Sequence, residues 1–148
     1  MEDFSFPNLP LQKREKKPRN RGINYVRAPV MVGQCINDYL SAYGNLVDVF
    51  KLSGKQAAMM SRSSLVDFIS TCKKHEVLVA VGNPVMDVAL SGGAEVVDIY
   101  LDSVSKYEID IIEISSIARS IDDDDMCRLI ESATKKGVKV INEIGVAF

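Results

Sequence analysis

The chain has 148 residues, with 18 Lys plus Arg against 20 Asp plus Glu and a formal net charge of −2; this balance excludes a generally basic nucleic-acid binder and an acidic disordered chain. At 47% hydrophobic and 26% charged the composition is globular, with length for one core and not for two ordinary domains. Apolar runs of only a few residues, an amino terminus reading Met1-Glu2-Asp3-Phe4-Ser5, and three cysteines with no close pair (Cys35, Cys72, Cys127) argue against a membrane span, a secretory signal, a zinc cluster or a disulfide framework. A reducing, cytoplasmic setting is the expectation.

The first segment in chain order is an arm. Residues 1–22 hold Lys13, Arg14, Lys16, Lys17, Arg19 and Arg21 against Glu2, Asp3 and Glu15, a net of +3, whereas residues 23–148 carry 12 basic and 17 acidic side chains, a net of −5. The arm also carries Pro7, Pro10 and Pro18 and has no periodic apolar face, so it cannot bury enough surface to offset its ordering entropy. Residues 1–16 are therefore expected to form a flexible basic arm, with one domain over 17–148.

Beyond the arm, short runs rich in Val and Ile alternate with amphipathic stretches. Residues 23–27 read as a strand. Ile36, Tyr39, Leu40 and Tyr43 recur at helical spacing and stop before Gly44, a C-cap type residue. A second strand over 46–52 leads into Ser53-Gly54-Lys55. A helix over 61–75 aligns Leu65, Phe68, Ile69 and Cys72, with Ser63 or Ser64 as N-cap. The third strand, 76–81, precedes a short helix over 85–90 that Ser91-Gly92-Gly93 breaks, and a longer one over 94–107 with Val97, Leu101 and Val104 on its inner face. The fourth strand, 109–114, is followed by a helix over 122–136 that opens on four aspartates and closes on Lys135-Lys136-Gly137, the charge order the helix dipole favours. The fifth strand spans 138–144.

Five strands joined by four long crossovers predict an α/β fold with a parallel sheet and right-handed connections. Two architectures compete, a doubly wound five-stranded sheet and an arc of a (β/α)₈ barrel, which needs roughly 250 residues when complete. The chain stops directly after the fifth strand, as if truncated to about five β/α units.

Loops at the carboxyl edge of such a sheet converge on one crevice. Three charges interrupt the apolar strands near that edge: Lys51, Glu113 and Glu143. A charge in a buried strand costs several kcal/mol unless it is paired, binds a metal or faces an open cleft. One reading is a structural Lys-Glu pair. The other is a polar cluster in which the lysine holds an anionic substrate while the two carboxylates hold Mg²⁺ or move a proton. Other motifs carry less. Ser53-Gly54-Lys55 lacks the rest of a phosphate-binding loop. His75 sits beside Lys73 and Lys74 as a helix C-terminal residue, and Asp122 to Asp125 read as a solvated first turn.

The pieces Lys17-Pro18-Arg19, Arg21-Gly22-Ile23, Asp48-Val49-Phe50-Lys51-Leu52-Ser53-Gly54, Gly82 with Asp87, Ile112-Glu113-Ile114-Ser115 and Glu143-Ile144-Gly145 occur in the order and spacing of the phosphosulfolactate synthase family, which the chain resembles from about residue 17 onward. The stretch 17–29, with Val26-Arg27-Ala28-Pro29, most resembles the plant heat-stress-associated branch. The resemblance implies a (β/α) barrel of this type and a lyase-type enzyme that adds sulfite to C3 of phosphoenolpyruvate with Mg²⁺. It implies Lys51, Glu113 and Glu143 as catalytic residues, Lys51 binding the anion and Glu113 and Glu143 serving as metal ligands or acid/base groups. It implies small anionic substrates as partners, not nucleic acid or membrane, and open sheet edges allow an oligomer. The family pattern is not fully kept. Where the synthases tend to follow the fifth-strand glutamate with Val-Gly-Lys-Lys, this chain reads Ile144-Gly145-Val146-Ala147. Ser116-Ile117 replaces Asp-Gly, and Gly82-Asn83-Pro84 replaces Gly-Gly-Thr. The expected activity of this chain alone is therefore weak or nil, and the alternative is a non-catalytic stress-associated interaction protein.

Overall fold

In a computed structural model, which describes residues 5, 6, 9, 10, 14–27, 31–116 and 118–143, the strands are β1 (Tyr25–Arg27), β2 (Val49–Leu52), β3 (Leu78–Val81), β4 (Ile111–Ile114) and β5 (Lys139–Asn142). The helices are α1 (Gln34–Tyr43), α2 (Gly54–Met59), α3 (Arg62–Lys74), α4 (Pro84–Ser91), α5 (Ala94–Lys106) and α6 (Asp123–Lys135). All strands pair in parallel and in chain order, β1-β2-β3-β4-β5. A doubly wound sheet reverses its strand order at a switch point; this sheet has none.

The burial pattern decides the architecture. Alternate strand residues Phe50, Leu52, Val79, Val81, Ile112 and Ile114 join one core with Leu65, Phe68, Ile69 and Cys72 of α3, Met86 and Ala89 of α4, Val97, Leu101 and Val104 of α5, and Leu129 and Ala133 of α6. The intervening residues Val49, Ala80 and Ile111, with Leu78 against them, form a separate cluster to which no helix contributes. Helices thus cover one face only, as in the wall of a (β/α) barrel. The sheet also curls. Tyr25 on β1 reaches Glu113 on β4, its hydroxyl donating to Oε1 at 2.9 Å, although three strand spacings separate them, about 14 Å on a flat sheet. The helix-free face is therefore concave, and among the described residues the fold is an arc of five strands joined by four helical crossovers.

Local expectations need two corrections. Residues 54–59 form α2, a helix not expected from the sequence, entered through Ser53, whose N–H donates to Gln56 Oε1 at 3.2 Å. The N-cap of α3 is Ser61, which accepts from the Ser64 N–H at 3.2 Å; neither Ser63 nor Ser64 is the cap. Gly44 is the C-cap of α1, as expected, and at φ −55° it runs on into a 3₁₀ turn over Gly44–Leu46. Ser91-Gly92-Gly93 does separate two helices, with Gly93 at φ +89° starting α5. Asp122 caps α6 by accepting from the Asp125 N–H at 2.8 Å.

The amino-terminal end of the sheet is closed by a carboxylate. Asp48, 7% exposed just before β2, accepts from Arg14 at 2.9 Å, Arg19 at 2.7 Å and the Asn24 N–H at 2.8 Å. Burial alone would raise its pKa, but these donors outweigh burial and hold the carboxyl below its usual 3.8. Arg14 also donates to the carbonyls of Leu46 and Gly22, and Lys17 to that of His75. Much of the expected arm, residues 1–4, 7, 8 and 11–13, lies outside the described residues. Arg14, within that expected arm, is anchored to the domain.

Candidate functional site

Lys51 and Glu113 point onto the concave face because they occupy the same alternation as Val49, Ala80 and Ile111. Lys51 Nζ lies 2.6 Å from Glu113 Oε2, with side-chain exposures of 15% and 5%. Gly82, directly after β3, makes this contact possible. A Cβ there would stand 2.9 Å from Lys51 Cε and 3.4 Å from Glu113 Oε2, so the lysine crosses the space a side chain would fill. The next loop is as tight: a Cβ on Gly54 would lie 2.6 Å from the Gly82 carbonyl oxygen and 2.8 Å from the Val85 nitrogen. Two glycines thus let the loops after β2 and β3 close against each other beneath the ion pair.

Glu143 stands at the same end but not in the pair. It follows β5, is exposed, and accepts from Ser115 Oγ at 3.4 Å. Ser115 in turn accepts from Asn83 Nδ2 at 2.7 Å in a buried bond. Of the three charges selected from the sequence, two are therefore in direct contact, and the third is held separately by a serine that an asparagine orients.

Two further side chains share this face without having been singled out from the sequence. Tyr25, two positions before Arg27 on β1, satisfies the second oxygen of Glu113. Arg27, exposed, stands in register with Lys51 and adds a cation to the concave face. Burial, the hydrogen bond to Glu113 and the charges of Glu113 and Glu143 all push the Tyr25 hydroxyl above the ordinary tyrosine range. It stays a donor at any physiological pH.

Mg²⁺ at this end of the sheet would have to compete with the partners that Glu113 already has. The ion needs near-octahedral oxygen ligation and takes one or two carboxylates with open lone pairs. Glu113 gives one oxygen to an ammonium and the other to a phenol. Among the described residues no group of three or more His, Cys, Asp or Glu side chains converges to hold a metal. What the arrangement offers is a lysine held by a buried counter-ion, with an exposed arginine beside it, facing an open concave surface. Among the described residues no helix is long and apolar enough to cross a membrane.

Residues 12–148 match the family described as (2R)-phospho-3-sulfolactate synthase (ComA). The chain belongs to the phosphosulfolactate synthase family. It is 25% identical over 145 residues to the phosphosulfolactate synthase of Methanothermobacter thermautotrophicus, an alignment covering 98% of this chain and 54% of that protein. The chain thus spans about half the length of this synthase. Two crystal structures of D-psicose 3-epimerase are also similar. One, with D-tagatose from Clostridium cellulolyticum H10, aligns at 14% identity and TM-score 0.45 over 70% of this chain and 45% of its own. The other, in the presence of D-fructose, aligns at 16% and 0.43 over 71% and 45%.

Proposed function

We propose that this chain carries the anion-recognition part of a phosphosulfolactate synthase-type site and that its ligand is a small carboxylate-bearing anion of the phosphoenolpyruvate type. The observation that supports this is Lys51 held at the carboxyl end of the sheet by Glu113, in register with exposed Arg27 on the same face. In the family reaction the sulfur lone pair of sulfite attacks C3 of phosphoenolpyruvate and a C–S bond forms. The C2–C3 π pair moves onto C2 and the adjoining carboxylate, and C2 then takes a proton. Charge accumulates on that carboxylate, where an ammonium stabilises the transition state more than the ground state. Lys51 supplies this ammonium, and Glu113 fixes its position. Glu143, held by Ser115, is the carboxylate exposed for proton exchange. No step is assigned to Mg²⁺.

Turnover by this chain alone is slow. Loss of one transition-state contact costs about 10² to 10³ in rate, and loss of a proton donor about 10² to 10⁴. After Glu143 the sequence reads Ile144-Gly145-Val146-Ala147, without the lysines that the synthases tend to have. The same replacement supports a second reading, a stress-associated relative that binds anions or partners without chemistry, in keeping with the resemblance of residues 17–29 to the plant heat-stress-associated branch. A mass-spectrometric assay with sulfite and phosphoenolpyruvate separates the two. Product at a rate several orders of magnitude below an intact synthase, abolished in Lys51→Ala, supports the catalytic reading. Binding of phosphoenolpyruvate that is lost in Lys51→Ala, without product, supports the second. Binding that survives Lys51→Ala refutes the site.

A further inference from the structure

Glu113 is 4% exposed and has a different partner on each oxygen, Lys51 on Oε2 and the Tyr25 hydroxyl on Oε1. Both partners come from strands on the same side of β4, by different routes: Lys51 from β2 over Gly82, Tyr25 from β1 across the concave face. We propose that Tyr25 is a positioning residue of the anion site: by taking one oxygen of Glu113 it shares the carboxylate's charge and leaves the Lys51 ammonium available to an incoming anion. This rests on the reading of Lys51 as the anion-binding residue and gives Glu113 the role of a shared internal counter-ion.

The physical argument is a competition. A carboxylate with one ammonium partner and a vacant, buried second oxygen concentrates its charge on that partner, and a charge-assisted bond of this kind is about twice as strong as a neutral one. A phenol donor on the second oxygen satisfies a lone pair that would otherwise be buried and unpaired and polarises the carboxylate away from the lysine. Tyr25 can do this without titrating, because its environment keeps it protonated. It remains about a third exposed at its outer side, so removing the hydroxyl does not open a hole in the core.

The test compares the full chain with Tyr25→Phe by isothermal titration with phosphoenolpyruvate and by the side-chain ¹H-¹⁵N resonance of the Lys51 ammonium. The expected result is roughly ten-fold weaker binding and a displaced Lys51 resonance, with the thermal transition within a few degrees of the parent. Tyr43→Phe, an exposed tyrosine on α1, should change neither readout. Glu113→Asp is the second variant: it keeps the charge but shortens the reach, so it should release Tyr25 and displace the Lys51 resonance in the same direction. Unchanged affinity in Tyr25→Phe overturns the proposal. If the parent chain binds no phosphoenolpyruvate, the functional reading above fails by itself. The positioning role is then judged by the Lys51 resonance, and a resonance that does not move in Tyr25→Phe overturns it.

Discussion

Replacing Asp48 by Asn tests whether the amino-terminal segment is held by charge. Asp48 is 7% exposed and accepts from two guanidiniums and one amide. Asn keeps the shape and one carbonyl acceptor but removes the charge, leaving Arg19, 2% exposed, as an uncompensated buried cation. Arg14, 19% exposed, can turn toward water and keeps two carbonyl partners. Breaking a buried pair from one side costs about 3–5 kcal/mol; with one arginine free to re-solvate, the lower end applies. For a chain of this size that corresponds to a fall in Tm of about 6–12 °C. The pH dependence gives an independent check. Because the folded pKa lies below the usual 3.8, the stabilisation is fully present above that value and disappears as pH falls through the folded pKa. Thermal unfolding of parent and Asp48→Asn should therefore show a full gap from pH 7 down to about pH 4 and a gap that narrows as pH is lowered further. A gap smaller than about 2 °C at pH 7, or one that widens as pH is lowered below 3.8, would refute the charge-based anchor.

Gly82→Ala and Gly54→Ala should separate site from scaffold. At Gly82 the main obstacle is the movable end of Lys51, so the fold survives and phosphoenolpyruvate binding weakens, read by titration. At Gly54 the obstacles are the Gly82 carbonyl and the Val85 nitrogen, so the backbone must shift and stability should fall by about 1–3 kcal/mol in denaturant unfolding. Ser61→Ala should cost about 1 kcal/mol and Ser63→Ala markedly less, because only Ser61 accepts the Ser64 N–H. A thiol-reactive aromatic disulfide should label Cys35 and Cys127, both exposed, within minutes. Cys72, fully buried with its thiol pushed up to about 12 chiefly by burial, should react only on unfolding.

Much of the fold was legible because local and tertiary demands agree. Leu65, Phe68, Ile69 and Cys72 recur at helical spacing and all enter the core, and the alternation of β2 and β4 leaves Lys51 and Glu113 as the charges on the concave face. Where the sequence misled, the stabilising partner was distant. The helix α2 opens on glycine and is only six residues long, too short to stand on propensity, and it forms where α4 packs against it. Tyr25 carried no local signal, since its partner is 88 positions away and meets it only because the sheet curls. Asn83, read from the sequence as a departure from the family pattern, is the donor that orients Ser115 toward Glu143.

The consecutive strand order bears on how the chain acquires its structure. Tyr25 pairs with Val49, Val49 with Leu78, Ala80 with Ile111, and Ile111 with Lys139, so every strand's partner is the one synthesised just before it. Pairings this local in sequence keep the entropic cost of each closure small, and each strand, once docked, presents the edge on which the next one is laid. The arc can therefore assemble vectorially from its amino-terminal unit. The contact between Tyr25 and Glu113 comes late, since it requires β1 to β4 to be in place and curled. On this route the Lys51–Glu113–Tyr25 cluster reports that the wall has reached its final curvature.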